Sequence, residues 1–221
     1  MTLAASTASA AIVTATYVGK VTGTRLSGDT DGAFDNFGVF GAARNLDGVD
    51  FTAVFTFNTN LGARFTQLDY DQLVGGAFFG LDSPFLSAIL TIERVDFAFG
   101  SDLLAVALVV TNGLDSATLH QVSNGFNFLT AGLQNPLLPL NLTGPFSGDD
   151  FADDPDNLLL GEFLVSEGDD TVAHGYLAAS HLTISSAPVP EPATWGLMLL
   201  GFGSLGLMAR RARRAGLLPI A

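Results

Sequence analysis

The sequence predicts a mainly β protein, with an antiparallel β-sandwich or jelly-roll-like body followed by a single C-terminal transmembrane helix. Three observations predict this fold class. First, the 221-residue chain has 18 Asp against 4 Glu, with 25 Gly and 18 Phe, a composition typical of β proteins with many loops. Second, apolar and polar residues alternate along much of the chain. Third, residues 193–209 carry no charge, and four arginines follow them.

Alternation with a period of two residues marks the strands of the body. It is clear at residues 51–57, where Phe51, Phe55 and Phe57 share one face. Residues 103–111 are apolar on both faces and rich in β-branched side chains, which favours a central buried strand. The other predicted strands are 13–21, 117–122, 126–130, 158–165 and 176–184.

Two further stretches are less simple to assign. Residues 89–99 predict one long extended strand with Ile89, Glu93 and Phe97 on the same face. Residues 61–80 show no clear period and receive no assignment. No stretch before residue 193 has a helical period long enough to predict a helix.

The chain divides into four segments. Residues 1–11 are predicted to be the remnant of a signal peptide, because Ala8-Ser9-Ala10 offers the small residues that signal peptidase requires. The basic and long apolar regions of such a peptide are missing, so a chance run of small residues is the alternative. Residues 12–184 form the body. Residues 185–192 contain three prolines in five positions and predict a stiff linker, and residues 193–214 hold the transmembrane helix with its arginine cluster.

The body is strongly acidic. Residues 1–209 carry five basic and 22 acidic residues, a net charge of −17, whereas the whole chain has −13. Such a surface repels phosphate groups, so nucleic acid is excluded as a partner. The chain has no cysteine, which excludes disulfide scaffolds, thiolate zinc sites, cysteine nucleophiles and iron–sulfur clusters.

Aspartates with the spacing of a calcium loop occur near the N-terminus. Asp29, Asp31 and Asp35 flank Gly32, and carboxylates at alternating positions can converge on a calcium ion. The distal glutamate of an EF-hand is missing, and an aspartate-rich turn exposed to solvent is the alternative. The same two interpretations apply to a second cluster, formed by Asp149, Asp150, Asp153, Asp154 and Asp156. No other cofactor is predicted.

The body contains no catalytic motif. Its histidines, His120, His174 and His181, lack metal-binding spacing, and the sequence has no nucleophile elbow, phosphate-binding loop or dinucleotide fingerprint. Glu93 and Glu162 are the residues that a glycoside-hydrolase-like jelly roll would use as its carboxylate pair. Because none of these catalytic motifs is present, we predict that the protein is not an enzyme. A carbohydrate- or calcium-dependent matrix adhesin and a glycoside hydrolase are the alternatives.

The C-terminal segment carries the strongest functional signal. A helix of the 17 uncharged residues 193–209 is about 25 Å long, close to the thickness of a hydrocarbon core. Trp195 falls where an interfacial aromatic residue belongs, and the arginines of residues 210–214 are expected on the cytoplasmic side. This orientation places the acidic body outside the cytoplasm.

The order of these parts resembles the PEP-CTERM sorting signal in its PEPxxW variant, over residues 188–214. The residues that carry the likeness are Pro190, Glu191, Pro192, Trp195, Arg210, Arg211, Arg213 and Arg214. The resemblance implies a protein that is exported, held in the bacterial inner membrane and cleaved near Pro-Glu-Pro by an exosortase, a membrane-embedded cysteine transpeptidase. It also implies a Gram-negative bacterium that makes exopolysaccharide. We therefore predict an exported, non-enzymatic protein of the cell surface or extracellular matrix, with exopolysaccharide as a further expected partner.

Overall fold

The computed structural model describes five stretches of the chain and one further residue. They are residues 11–24, 32–112, 115–139, 141–150, 161–188 and Phe202. Ala11–Ala187 form one compact unit, called the body below, and residues 1–10 with 188–221 form a second unit. The predicted signal-peptide remnant lies outside the described residues except for Ala11, and the predicted transmembrane segment except for Phe202. No helix in the described part of the chain is both long enough and apolar enough to cross a bilayer.

The body consists of strands joined by turns. The strands are β1 (Ala11–Thr22), β2 (Phe34–Asp35), β3 (Arg44–Asn45), β4 (Asp50–Asn58), β5 (Ala63–Thr66), β6 (Tyr70–Gly75), β7 (Phe85–Ile92), β8 (Val95–Ala98), β9 (Leu104–Asn112), β10 (Asp115–Ser123), β11 (Phe128–Gln134), β12 (Phe146–Asp149), β13 (Gly161–Glu167) and β14 (Asp170–Pro188). One short 3-10 helix, at Ala77–Phe79, interrupts the connection between β6 and β7. The prediction of a mainly β body is confirmed.

All of these strands belong to one continuous antiparallel sheet. Its order is β5-β6-β9-β10-β11-β13-β14-β1-β4-β7-β8, and β12 and β2 pair with β14 outside this path. The sheet curls into a half-barrel, whereas the sequence predicted two packed sheets. The 19-residue β14 explains the difference, because its first part pairs with β13, its later part pairs with β12, and β1 lies on its other side. Hydrogen bonding therefore continues from one half of the sheet to the other.

β1 runs antiparallel to β14. The Ser180 hydroxyl donates to the Val18 carbonyl oxygen at 3.2 Å, and a side chain at Gly175 would collide with Val21. Residue numbers therefore rise along β1 as they fall along β14. The first residues of β1 consequently lie beside the last residues of β14.

The core lies between the two halves of the curled sheet. In β4, Phe51, Ala53, Phe55 and Phe57 are buried, as the alternation predicted. β9 lies between β6 and β10, which confirms the prediction of a central strand there. The halves meet where Phe55 and Phe57 of β4 contact the ring of His120 in β10. Alternation thus determines which side chains the curled sheet encloses.

Residues 89–99 form a hairpin, so the prediction of a single strand there is wrong. β7 and β8 are joined by Glu93 and Arg94, whose φ angles are 49° and 72°. Turns of this kind usually contain Asn-Gly, so this sequence held no turn signal. The turn divides the predicted shared face: Ile89 is not among the buried residues of β7, whereas Phe99, directly after β8, is buried. The buried residues of β7 are Phe85, Ala88, Leu90 and Ile92.

Candidate functional site

The last strand of the body leads directly to the predicted sorting signal. β14 continues to Pro188, four residues into the predicted linker 185–192. β12 pairs with it as far as Ile184, and the Ser186 hydroxyl then donates to the Thr143 carbonyl oxygen at 2.9 Å. The last residues of the body are exposed. The body therefore ends in a solvent-facing stretch just before Pro-Glu-Pro.

One of the three aspartates proposed as calcium ligands is described, since Asp29 and Asp31 lie outside the described residues. Asp35 is fully buried, and both of its carboxylate oxygens accept hydrogen bonds. The donors, at 2.7–2.9 Å, are the backbone N–H groups of Gly38, Val39 and Phe40. These bonds account for the burial of Asp35 without a metal ion. Within the described residues, no three His, Asp or Glu side chains are placed to hold a metal, and the calcium site stays a prediction.

The second aspartate cluster begins at the end of β12. Asp149 and Asp150 are described, and the other three members lie outside the described residues. Asp150 accepts a hydrogen bond from the Gln134 backbone N–H at 3.2 Å, and its own N–H donates to the Ser180 carbonyl oxygen at 3.0 Å. The described end of this cluster is therefore bonded to neighbouring strands.

Four polar side chains form a row across β12 and β14. Asp149 lies opposite His181, and Ser147 lies opposite Thr183. His181 Nδ1 is 2.8 Å from Asp149 Oδ1, and His181 Nε2 is 3.4 Å from both hydroxyl oxygens. The order Ser–His–Asp is that of a hydrolase triad. However, the Asp149 side chain is 77% exposed, so water competes for its carboxylate, and the hydroxyl contacts are long. The row therefore fits a surface hydrogen-bond network better than a catalytic site.

His120 lies at the centre of the body. Its Nδ1 is 2.7 Å from the Tyr17 hydroxyl, and the rings of Phe55, Phe57 and Phe85 surround it. Burial lowers the pKa of His120 to about 3 and raises the pKa of Tyr17. Both groups are consequently neutral near pH 7. The hydrogen bond joins β10 to β1. Because both side chains are closed to solvent, the pair is out of reach of an external molecule.

Asp71 is a buried carboxylate in β6. It accepts hydrogen bonds from Arg64 at 2.6 and 2.8 Å, from the Thr66 hydroxyl at 3.0 Å and from the Leu142 backbone N–H at 2.8 Å. Burial raises the pKa of Asp71, but the bonds from Arg64, Leu142 and Thr66 together lower it further, so its pKa lies below the usual value. The ionised carboxylate therefore binds the loop 135–145 to the β5–β6 hairpin.

The two glutamates considered for glycoside hydrolysis have separate partners. Glu93 Oε2 is 2.6 Å from Arg44 Nη1, and Glu162 Oε1 is 3.1 Å from His174 Nε2. A cavity of about 450 Å³ beside Arg44 is lined by Asp35, whose oxygens already accept backbone hydrogen bonds. In the described part of the chain, neither glutamate is seen paired with a second carboxylate. This geometry gives no support to the glycoside hydrolase alternative.

The C-terminal segment matches a known family model. The model of the PEP-CTERM protein-sorting motif matches residues 188–214, the segment in which the sequence predicted a sorting signal. No curated protein and no solved structure matches the chain. The chain is thus a β-sheet protein that carries a C-terminal sorting signal. That signal is the PEP-CTERM motif, which implies export, a membrane-anchored intermediate and processing by an exosortase.

The recognition residues of the motif, from Pro190 to Arg214, lie outside the described residues. Sequence reasoning found them because all of them lie in one short segment. It missed the Tyr17–His120 pair, whose members are 103 residues apart in the chain. It also missed the row around His181, in which Ser147 and His181 are 34 residues apart. The functional assignment therefore rests on the motif, and the structure describes the body that precedes it.

Proposed function

We propose that this protein is an exported, non-enzymatic protein of the cell surface or extracellular matrix, delivered through the exosortase pathway. The observation that carries the proposal is the PEP-CTERM motif at residues 188–214. The buried polar groups of the body fit a structural role, since Asp71 and His120 each join distant segments and Asp35 binds the backbone of the turn that follows it. The final location is the exopolysaccharide layer of a Gram-negative bacterium.

The tail acts as a temporary membrane anchor. A helix over residues 193–209 measures about 25 Å, slightly less than a hydrocarbon core of about 30 Å, and snorkelling arginine side chains compensate for the difference. Trp195 lies at the outer interface, and the arginines of residues 210–214 hold the C-terminus in the cytoplasm. The acidic body consequently stands on the outer side of the inner membrane.

The two prolines of Pro190-Glu191-Pro192 keep the cleavage site accessible. Proline lacks the backbone N–H that a sheet requires, so β14 cannot extend through this segment. Glu191 supplies one negative charge for recognition at the membrane surface. The exosortase provides the nucleophile, and this chain provides only the substrate sequence.

The test follows a C-terminal tag in a Gram-negative host that has an exosortase. We expect the tag to be lost from the wild-type protein and retained in the double variant Pro190→Ala/Pro192→Ala and in Glu191→Gln, because these changes remove the recognised features. Immunoblots of membrane and extracellular fractions measure the ratio of tagged to untagged protein.

The matched control is Glu167→Gln, which removes one exposed glutamate from the end of β13. It should be processed like the wild type. Retention of the tag by the wild-type protein in the exosortase-containing host would contradict the proposal. So would equal processing of the Glu191→Gln variant.

A further inference from the structure

The last strand of the body changes its surroundings at Ile184. Ile184 is buried and pairs with Phe146, where the pairing between β12 and β14 ends. Residues 185–188, called the strand end below, follow in the same strand, and the first three of them are exposed. Here the Ser186 hydroxyl donates to the Thr143 carbonyl oxygen at 2.9 Å. The strand end has therefore passed beyond β12 and is bonded on that side through a side chain.

β1 lies along the other side of the strand end. The Ser180 hydroxyl contacts the Val18 carbonyl oxygen, and the two strands run in opposite directions. Six residues further along β14 is Ser186, and six residues back along β1 is Ile12, so Ile12 lies near the level of Ser186. The strand end is thus held by the first residues of β1 on one side and by the Ser186 hydroxyl on the other.

The carbonyl group that Ser186 binds is itself held in place. The Thr143 N–H and hydroxyl donate to Asn141 Oδ1, at 3.1 and 3.0 Å. The neighbouring Leu142 N–H donates to the buried carboxylate of Asp71 at 2.8 Å. Because this acceptor cannot follow the strand end, detachment of the strand end breaks the Ser186 bond. A hydrogen bond of this kind changes such an opening equilibrium by about two- to tenfold.

Little chain separates the strand end from Pro-Glu-Pro. β14 ends at Pro188 and the motif's first proline is Pro190, a step of two residues that spans at most about 7 Å. A compact unit of the length of Ala11–Ala187 has a radius of gyration of about 16 Å. The body is therefore large compared with the chain that joins it to the motif. Detachment back to Ile184 would lengthen the step to six residues, or about 20 Å.

We infer that the strand end detaches from the sheet when the exosortase processes the motif, and that its attachment limits the rate of processing. The inference rests on the exosortase processing proposed above. Proteins that bind a peptide in extended form commonly use its backbone N–H and carbonyl groups. While the strand end belongs to the sheet, the residues just before the motif are not free to bind the enzyme in this way. The exposed end of a strand opens locally at a lower cost than the core of the body.

The experiment measures how fast a C-terminal tag is lost from the full chain after a pulse of synthesis in a host that has an exosortase. Ser186→Ala removes the bond to Thr143, so we expect processing about twofold faster than in the wild type. A second variant inserts Gly-Ser-Gly-Ser between Val189 and Pro190, which leaves the body and the spacing from Pro190 to Trp195 unchanged. It should also be processed faster, and adding Ser186→Ala to it should bring no further gain.

Ser185→Ala makes the same chemical change at the neighbouring exposed serine and serves as the control, with the processing rate of the wild type expected. If Ser186→Ala is processed no faster than Ser185→Ala, or if the insertion does not raise the rate, the inference is overturned while the exosortase proposal stands. An equal gain from Ser186→Ala with and without the insertion also overturns it. Retention of the tag by the wild type and every variant contradicts the exosortase proposal, and the inference fails with it.

Discussion

Two buried polar contacts stabilise the body, one between neutral side chains and one between charged side chains. Tyr17 and His120 meet between the two halves of the curled sheet as neutral groups. Asp71 and Arg64 meet near one edge of the sheet as an ion pair. Tyr17, His120 and Asp71 are all buried. Tyr17 and His120 are nevertheless neutral, whereas Asp71 and Arg64 are charged.

The difference lies in the partners that each group finds. Asp71 accepts bonds from a guanidinium, a hydroxyl and a backbone N–H, which together offset the desolvation of its charge. His120 has one phenol partner and is otherwise surrounded by phenylalanine rings, which cannot stabilise an imidazolium. A lowered pKa therefore means a stabilised charge for Asp71 and a stabilised neutral form for His120. Acid weakens both contacts, but in different pH ranges.

Removing the carboxylate of Asp71 should have the largest effect on stability. Asp71→Ala leaves the partly buried Arg64 guanidinium and the Leu142 N–H without their acceptor. We expect the free energy of unfolding to fall by about 3 kcal/mol, the lower end for a broken buried pair, because water reaches Arg64. Urea unfolding measures the loss. In the control, Asp50→Ala breaks the exposed Lys20–Asp50 pair and should lose less than about 1 kcal/mol. Equal losses of unfolding free energy in Asp71→Ala and Asp50→Ala would contradict this prediction.

As the pH falls, the titration of His120 should lower the free energy of unfolding before the titration of Asp71 does. The native pKa of His120 is about 3 against about 6.5 when unfolded, so its contribution is complete above pH 6.5 and is lost as the pH falls toward 3. The loss is about 1.4 kcal/mol per pH unit within that window. The pKa of Asp71 is lowered from 3.8, so its contribution is present above that value and declines only below it.

The pH prediction is measured by urea unfolding of the wild type and His120→Phe between pH 7 and about pH 4. The variant lacks the titrating ring, and its stability should decline less steeply with acid. His181→Phe, which removes a surface histidine, is measured alongside as the control for replacing a histidine by phenylalanine. Parallel curves for the wild type and His120→Phe would contradict the assignment.

The phenol of Tyr17 should have the smallest of the three effects. Tyr17→Phe preserves the ring but leaves His120 Nδ1 without its partner, so we expect the free energy of unfolding to fall by about 1 kcal/mol. The control is Tyr70→Phe, the same chemical change at a half-exposed position of β6. Thermal melts of both variants make the comparison, and an equal loss in the two would argue against the buried hydrogen bond.

Much of the fold could be predicted from local patterns. The burial of Phe51, Phe55 and Phe57 follows from a two-residue period that depends only on strand geometry. The hairpin at Glu93–Arg94 could not be predicted, because its turn lacks Asn and Gly. Strands β5 and β6 escaped assignment because polar residues in this region, Asp71 among them, interrupt the period. The single curled sheet depends on which strands pair with β14, and pairing between distant segments leaves no local signature.

The functional residues also differ in how far the sequence alone could predict them. The sorting motif could be predicted because its proline, tryptophan and arginine residues follow one another in a fixed order within residues 188–214. The Tyr17–His120 contact could not, because its members are 103 residues apart and neither lies in a recognisable motif. The exposed apolar side chains of the loops were missed for a related reason. Phe78, Leu103 and Phe126 come from three separate turns, and only the folded chain brings them together.

The position of β14 in the sheet determines how the body responds to mechanical force. A load applied at the C-terminal end of the body enters along β14, which has β1 on one side and β12 and β13 on the other. Interstrand hydrogen bonds lie across the strand direction, so such a load shears many of them at once. A strand at the margin of the sheet would instead peel away bond by bond. The body therefore ends in an interior strand, which resists extraction better than a strand at the margin would.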